Sequence, residues 1–210
     1  MTDTPITRQS DLVDLCARIA DSPEIAFDTE FVSEDTFFPE LCLVQIATRH
    51  EMATVDPQSV DITPFWELLI SGRNTVVFHA GREELNFLLR SVGTVPRELF
   101  DVQIAAGFCS HEYPASYGAL VGRFLGHKPM KGEQRTDWRR RPLTPAQINY
   151  ALEDVRHLLP LYDRLQQLLR ERGREQWLSD ETTRWVQQVE AAVDRRDWRR
   201  VSGIGKLNSR

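Results

Sequence analysis

Short apolar segments that alternate with longer amphipathic ones limit this chain to a small set of folds. Five segments have the length and the apolar or alternating pattern that favour a β-strand. These segments are residues 24–31, 41–47, 51–56, 74–79 and 98–102. Thr48, Arg49 and His50 separate the second segment from the third, which predicts a turn and a β-hairpin.

Helical spacing of apolar residues fills most of the remaining chain. The predicted helices are residues 10–20, 62–70, 82–92, 102–109, 116–126, 145–172 and 175–195. Ser10 is the expected N-cap of the first helix, and Pro160 should bend or interrupt the stretch 145–172. A hairpin, then alternating strands and helices, then only helices indicate a mixed α/β sheet with helices on both faces.

Composition excludes several classes of protein. The chain has 210 residues, of which 41% are hydrophobic and 27% are charged, as in one globular domain with a sizeable core. No segment approaches the roughly 18 consecutive apolar residues of a membrane span, and no secretory signal precedes the first helix. The three cysteines are widely spaced, which argues against a disulfide framework and favours a reducing cytoplasm.

The charge of the chain is acidic overall but uneven. A net charge of −5 argues against a protein that coats nucleic acid indiscriminately. Two arginine clusters stand out, namely Arg135, Arg139, Arg140 and Arg141, and then Arg195, Arg196, Arg199 and Arg200. Each cluster is either a local phosphate-binding patch or ordinary solvated surface. No membrane association and no obligate protein partner are expected.

Asp28 and Glu30 lie two residues apart on the first predicted strand, so both side chains leave the same face. Two adjacent carboxylates on a mostly buried sheet repel each other and need a cation, a proton or hydrogen bonds. A divalent ion such as Mg²⁺ or Mn²⁺ satisfies that need with hard oxygen ligands. The alternative is a strand whose two acidic residues face solvent.

The helix predicted over 82–92 begins with two glutamates that have different positions. On a helical wheel Glu83 points away from the apolar stripe, whereas Glu84 lies at the edge of that stripe. Both could simply stabilise the helix N-terminus through its dipole, but only Glu84 can reach across a sheet edge. His79 ends the preceding strand, where it is either a structural residue that positions the turn or part of a site.

Tyr150 and Asp154 are four residues apart, so they share one flank of a late helix. Such a pair is common on helices and means little alone. Together with the other acidic residues, however, it supplies four carboxylates and a phenol from three separated elements. Four carboxylates in this arrangement can hold two divalent ions roughly 3.5–4 Å apart.

Several blocks of the sequence resemble the ribonuclease D family, in the tyrosine-bearing branch of the DEDD exonuclease superfamily. The blocks are FDTEF at 27–31, FFPELCLVQIA at 37–47, HAGREEL at 79–85, LFDVQIAAGF at 99–108, KGEQRTDW at 131–138 and NYALEDVRHLLPLY at 149–162. The resemblance implies a ribonuclease H-like exonuclease fold. That fold has a five-stranded mixed sheet, with its second strand antiparallel, flanked by helices.

The resemblance also implies roles for individual residues. Asp28, Glu30 and Asp154 match metal ligands, with Asp28 bridging two ions, and Tyr150 matches the tyrosine that orients the attacking water. Glu84 stands where the family usually has Asp, and its extra methylene puts the geometry of the second ion in question. A further set is expected to shape the site or guide the substrate, namely His79, Asp101, Lys131, Arg135, Asp137 and Trp138.

The implied activity is metal-dependent 3′-5′ exonuclease action on single-stranded or frayed RNA ends, as in the trimming of transfer RNA precursors, with release of nucleoside 5′-monophosphates. The exonuclease domain is expected to cover residues 1–175. Residues 176–210 then resemble the lead-in to an HRDC domain that the sequence does not contain. Two alternatives stay open: an exonuclease that acts on DNA, and a catalytically weakened RNA-binding homologue.

Overall fold

A computed structural model describes residues 4–127 and 136–193 of the chain. The strands are β1 (Glu24–Val32), β2 (Glu40–Ala47), β3 (Met52–Val55), β4 (Thr75–Phe78) and β5 (Glu98–Asp101). The helices are α1 (Gln9–Ile19), α2 (Thr63–Ile70), α3 (Arg82–Val92), α4 (Val102–Cys109), α5 (Tyr117–Leu125), α6 (Pro145–Arg156), α7 (Leu158–Glu171) and α8 (Glu175–Val193). The predicted elements are therefore confirmed wherever the structure describes them.

The five strands form one sheet in the order β3-β2-β1-β4-β5. β2 runs antiparallel to both of its neighbours, while β4 pairs in parallel with β1 and with β5. Strands β1, β3, β4 and β5 consequently point the same way, and their carboxyl ends meet at one edge of the sheet. The predicted fold, a five-stranded mixed sheet whose second strand is antiparallel, is confirmed.

β1 extends beyond its parallel neighbour, and this overhang creates room for a site. Only the segment Glu24–Ala26 pairs with β4, whereas the pairing with β2 continues as far as Val32. β4 ends at Phe78, and the chain then turns and enters α3. The first turn of α3 therefore lies beside the unpaired edge of β1, at the level of residues 28–30.

Apolar side chains cover both faces of the sheet. On one face, Ile25 and Phe27 pack with α1, α2 and α3, where Phe27 meets Phe65, Trp66 and Phe78 edge to face. The opposite face packs against α4 and α7. A smaller cluster joins β2 to α6 and to Trp138. A sheet covered on both faces has its polar groups exposed mainly at its edges, which is where ligands reach it.

Two details of the helices test the sequence predictions. Pro160 lies in the first turn of α7, and the helical stretch is interrupted at His157. A proline cannot donate to the carbonyl four residues earlier, so the predicted interruption is confirmed. Ser10, in contrast, is not the N-cap of α1. The helix begins one residue earlier because the Arg8 carbonyl accepts from the backbone N–H groups of Asp11 and Leu12.

No helix in the ranges 4–127 and 136–193 is long and apolar enough to cross a membrane.

Candidate active site

The two acidic residues of β1 lie on the overhang, at the carboxyl edge of the sheet. Asp28 pairs with Gln45 and Glu30 with Leu43 in the register with β2, so these four side chains share one face. Burial raises the pKa of Asp28 well above its usual range, and the charges of neighbouring carboxylates raise it further. Burial and the nearby carboxylates likewise raise the pKa of Glu30 to about 8.

Glu84, in the first turn of α3, is the buried glutamate of the pair. Its side chain is only 4% exposed, and its Oε1 accepts a hydrogen bond of 2.5 Å from the Thr29 hydroxyl. Burial raises the pKa of Glu84 to about 7, while the bond from Thr29 acts in the opposite direction. Glu83 remains half-buried and accepts from the Asn86 amide instead. The predicted difference between the two glutamates is confirmed in position.

α6 brings Tyr150 and Asp154 over the same face of β1 and β2. The helix begins at a capping box, in which Thr144 and Gln147 bond each other's backbone N–H groups. Asp154 accepts a hydrogen bond from the Tyr150 side chain, which partly offsets the effect of burial, and its pKa is raised to about 6. The ring of Trp138 packs beside Tyr150, with centroids 6.1 Å apart.

These four carboxylates form a cluster that no basic side chain in the ranges 4–127 and 136–193 neutralises. Each of them has a raised pKa, and the neighbouring charges that shift them are all acidic. Oxygen-rich sites with excess negative charge are the kind that divalent cations occupy. The donor set therefore fits hard divalent ions in both charge and chemistry.

The carboxylates are not aligned as a ready set of ligands. Over the described ranges, no three acidic, His or Cys side chains converge closely enough to hold a metal ion. Hydroxyl contacts account for part of this, because Glu84 accepts from Thr29 and Asp154 accepts from Tyr150. Both acidic residues would have to exchange or share those hydroxyl contacts to bind an ion.

Comparison of the sequence with known proteins identifies the chain's relatives. The profile of the 3′-5′ exonuclease family matches residues 4–170. A ribonuclease D from Sphingobium indicum is 42% identical over 182 residues, which are 85% of this chain and 47% of the relative. The chain belongs to the ribonuclease D family of 3′-5′ exonucleases. The family membership predicted from the sequence blocks is thereby confirmed.

Solved structures of ribonuclease D relatives have the same fold. Escherichia coli RNase D, an exoribonuclease involved in structured RNA processing, superposes with a TM-score of 0.85 and 34% identity, covering 90% of this chain and 51% of that one. The catalytic core of RRP6 from Trypanosoma brucei gives a TM-score of 0.78 and 29% identity, covering 90% and 51%. The chain spans about half the length of the curated relatives it matches.

Two residues of the ribonuclease D blocks lie behind the carboxylate cluster. Asp101 is 1% exposed, and its carboxylate accepts from the backbone N–H groups of Ala80, Gly81, Gln103 and Ile104. It therefore shapes the turn that leads into α3, which is one of the two roles expected of it, and its oxygens face the backbone. His79 is half-buried and bonds the Ala115 carbonyl at 3.0 Å, as expected of a structural histidine.

The KGEQRTDW block divides between core and surface. Trp138 is 2% exposed and packs beside Tyr150, so it supports the site from the core, in agreement with the expected site-shaping role. Asp137 is exposed and accepts from Arg139, whose guanidinium also bonds Asp35. Lys131 and Arg135 lie outside the described residues, as do the second arginine cluster and the segment 194–210 that resembles an HRDC lead-in.

Two of the three described arginines of the first cluster are engaged within the protein. Arg139 pairs with Asp35 and Asp137, and Arg141 forms a two-bond ion pair with the buried Asp56, with both distances at 2.7 Å. Arg139 and Arg141 are therefore ion-paired within the protein, and the interpretation of the cluster as a phosphate-binding patch stays a prediction. Arg140 is exposed and forms no ion pair within the described ranges.

Three residues at the site were not anticipated from the sequence. Thr29 is the partner of Glu84, and Tyr117 accepts from the His157 backbone N–H and donates to the Glu153 carbonyl at 3.0 Å. Burial raises the pKa of Tyr117, and the charge of Asp154 adds to the shift. Gln45 is fully buried opposite Asp28, and its amide makes no hydrogen bond with the described residues. For Gln45, the available signal was a polar residue within an apolar strand, since LCLVQIA at 41–47 contains one glutamine.

Proposed function

We propose that the chain is a metal-dependent 3′-5′ exoribonuclease of ribonuclease D type. It would hydrolyse the 3′-terminal phosphodiester of RNA and release nucleoside 5′-monophosphates. The observation that carries the proposal is the cluster of Asp28, Glu30, Glu84 and Asp154 at the carboxyl edge of the sheet. Among the described residues, no basic group neutralises this cluster. Membership of the ribonuclease D family supports the same assignment.

Mg²⁺ or Mn²⁺ would occupy the site as a pair of ions. Asp28, Glu30 and Asp154 would hold one ion, and Asp28 with support from Glu84 the other. When bound, such ions lower the pKa of a coordinated water and stabilise the oxyanion of the leaving group. Without a bound cation, the negative charges of the carboxylates would repel the phosphates of an RNA. A bound cation would offset that repulsion.

Tyr150 would position the attacking water. Its side chain hydrogen-bonds Asp154, one of the proposed metal ligands, so the phenol lies beside the position where the water would bind. A phenol ordinarily has a pKa near 10, so it aligns the water more effectively than it removes a proton. Trp138 limits movement of the tyrosine ring from the core side. Alignment of this kind gains rate by holding the reacting atoms in place.

The substrate would be a single-stranded or frayed 3′ end of RNA, such as that of a transfer RNA precursor, encountered in the cytoplasm. A single strand is favoured because the carboxylate cluster lies at a sheet edge that one chain end can enter. Escherichia coli RNase D is described as acting in structured RNA processing. Because the chain spans about half of its relatives, we propose that residues 1–175 carry the catalysis and that residues beyond 175 lead to RNA-binding elements of HRDC type.

Digestion of end-labelled RNA tests the activity, the polarity and the metal together. A single-stranded oligonucleotide is labelled at its 5′ end in one sample and at its 3′ end in another, then incubated with Mn²⁺, with Mg²⁺ or with chelator. We expect a ladder from the 5′ label, immediate release of a mononucleotide from the 3′ label, and no cleavage with chelator. Release of a mononucleotide from the 5′ end, or cleavage in chelator, would contradict the proposal.

A matched DNA oligonucleotide separates the competing functions. Faster digestion of DNA than of RNA would assign the site to a DNA exonuclease, which carries the same carboxylates. Binding of RNA without digestion under any metal condition would instead assign the chain to a catalytically weakened RNA-binding protein. The departure at Glu84 is the feature that motivates this last comparison, because the longer side chain alters the second ion position.

A further inference from the structure

The loop between β1 and β2, residues 33–39, presents two adjacent aromatic rings to solvent. Phe37 is 55% exposed and Phe38 is 52% exposed, and their ring centroids lie 4.8 Å apart in an edge-to-face arrangement. Neighbouring positions in this loop are polar, namely Ser33, Glu34, Asp35 and Thr36. Two large apolar side chains exposed together are uncommon on a protein surface and mark an interaction site more often than scattered ones do.

Contacts at both ends fix this loop beside the carboxylate cluster. Its first residue follows Val32, two positions after Glu30. On one side, the Arg90 guanidinium lies 5.4 Å from the Phe38 ring and 5.0 Å from the Phe87 ring. Phe87 is less than one helical turn beyond Glu84 on α3. The aromatic pair is thus attached to the same helix that supplies the buried glutamate.

On the other side, the loop is attached to the segment that precedes α6. Asp35 accepts two hydrogen bonds from Arg139, at 3.1 and 2.9 Å, and Arg139 adjoins the Trp138 that packs under Tyr150. The loop is therefore connected to α3 by a cation–π contact and to the α6 side by an ion pair. These contacts place the aromatic pair next to the edge where a polynucleotide would enter the carboxylate cluster.

The guanidinium next to the pair favours a nucleic acid over an apolar partner. Arg90 is exposed, forms no ion pair within the described ranges, and adjoins Phe38. An aromatic face accepts any nucleobase by stacking, while a nearby guanidinium attracts the phosphate backbone or stacks in its turn. An apolar peptide would match the rings but would leave the arginine without a partner.

We propose that Phe37 and Phe38, together with Arg90, form a stacking platform for a base of the single strand upstream of the 3′-terminal nucleotide. This inference rests on the proposed function, since it assigns a binding position within the same substrate path. The platform holds the strand without reading its sequence, because every base has a π-face. It leaves the terminal nucleotide to the carboxylates, so the residues that bind and those that react are separate.

Abasic substitution in the RNA tests the platform directly. Single-stranded oligonucleotides carrying one abasic nucleotide, at each upstream position in turn, are compared with intact RNA for both dissociation constant and rate of digestion. With wild-type protein we expect about a tenfold loss or more at one or two positions, since stacking one base contributes about that factor. In the double variant Phe37→Leu/Phe38→Leu that penalty should shrink to within about twofold, because leucine keeps the apolar contact but has no π-face.

Trp177→Leu is the matched control, because Trp177 is also an exposed aromatic ring, 56% exposed, with Arg174 at 5.4 Å. Arg174 bonds the Phe108 carbonyl in the last turn of α4, away from the carboxyl edge where α4 begins. This variant should keep the wild-type pattern of abasic penalties, and Phe37→Tyr/Phe38→Tyr should keep it as well.

The platform is overturned if the leucine double variant retains the full penalty at every position, or if wild-type protein shows no penalty anywhere. The dissociation constants decide the platform even in a sample that does not digest RNA. Failure of the exonuclease assignment would appear separately, as wild-type protein that binds intact RNA without shortening it.

Discussion

Buried carboxylates occur in two settings at the same edge of the sheet, and they behave in opposite ways. Asp56 directly follows β3, and its side chain is 3% exposed. It forms a two-bond ion pair with Arg141 and accepts from the Gln58 backbone N–H and the Ser59 hydroxyl, and these partners lower its pKa. Asp28 lies within β1, on the far side of β2 from β3, and here burial and other acidic residues raise the pKa.

The difference lies in what surrounds each carboxylate. Asp56 has a guanidinium and backbone N–H groups, so its charge is compensated and it stabilises the fold. Asp28 and its three acidic neighbours have no basic partner among the described residues, and a bound cation would compensate their charge. Buried acidic residues whose charge has no compensating partner lower the stability of the fold, and such residues concentrate at functional sites. A compensated acidic residue can be explained by structure alone.

The largest expected effect is loss of catalysis when Asp28 is changed. Asp28→Asn removes one negative charge and one metal-ligand oxygen from the centre of the cluster. Loss of several kcal/mol of transition-state stabilisation corresponds to at least about a thousandfold in rate. Single-turnover digestion of labelled RNA with Mn²⁺ measures it, and thermal unfolding confirms that the variant is folded. A rate within tenfold of wild type would mean that Asp28 is not a ligand.

Asp56→Asn should have the converse effect. It leaves the Arg141 guanidinium partly buried without its carboxylate, which costs on the order of 3 kcal/mol of the free energy of unfolding. For a domain of this size that corresponds to a decrease in Tm of roughly 6–12 °C. Calorimetry measures the loss. Digestion per folded molecule should remain near wild type at temperatures well below the Tm. A thousandfold loss at those temperatures would contradict the distinction between compensated and uncompensated acidic residues.

Stability of the metal-free protein should decrease as the pH rises. The folded-state pKa of Glu30 is raised to about 8, so folded protein retains a proton that unfolded protein loses near the ordinary value of 4.5. Stability therefore falls between these two pH values, and the full penalty is present above the higher one. Glu30→Gln should flatten the decrease and raise the Tm at pH above 8 by a few degrees, corresponding to about 1 kcal/mol or more.

Thermal unfolding in chelator across that pH range measures the effect. Glu67→Gln is the control, because Glu67 is an exposed glutamate on α2 and is not among the charges that shift the cluster. This control should leave the pH dependence as in wild type. Addition of Mn²⁺ to wild-type protein should remove the decrease, since an ion that binds only the folded state stabilises it. An unchanged slope in Glu30→Gln would show that Glu30 does not carry the repulsion.

The smallest expected effect concerns the length of the second-motif side chain. Glu84→Asp shortens the carboxylate by one methylene, so its contact with the Thr29 hydroxyl should weaken or break. Because the charge is kept, we expect the rate with Mn²⁺ to stay within about tenfold of wild type or to rise. Digestion rates with Mn²⁺ and Mg²⁺, for this variant and for Thr29→Val, measure the change. A larger loss in Glu84→Asp would mean that the site has adapted to the longer residue.

Much of this architecture follows from periodicity in the sequence. The alternation at residues 24–31 and the helical stripe at 82–92 place β1 and α3 correctly, since burial on one face forces that spacing. The distinction between Glu83 and Glu84 also follows from helical geometry. The family blocks add the grouping of three distant elements, which periodicity alone does not supply.

Partners across the fold were not predictable in this way. Asp101 and Asp56 both end a parallel strand, as functional acidic residues often do, yet backbone N–H groups and Arg141 occupy their oxygens. Trp138 shares a block with charged residues but is buried under Tyr150. Whether a carboxylate is compensated depends on contacts between residues far apart in the chain, and these exist only after folding.

The overhang of β1 beyond β4 has a consequence for the order in which activity appears. The cluster needs β1, the first turn of α3 and the middle of α6, and α6 lies late in the chain. During synthesis, β1 and α3 leave the ribosome long before Asp154 does. A nascent chain therefore carries an incomplete set of carboxylates. Under the proposed function, it would not degrade the messenger and ribosomal RNA around it until its late helix is in place.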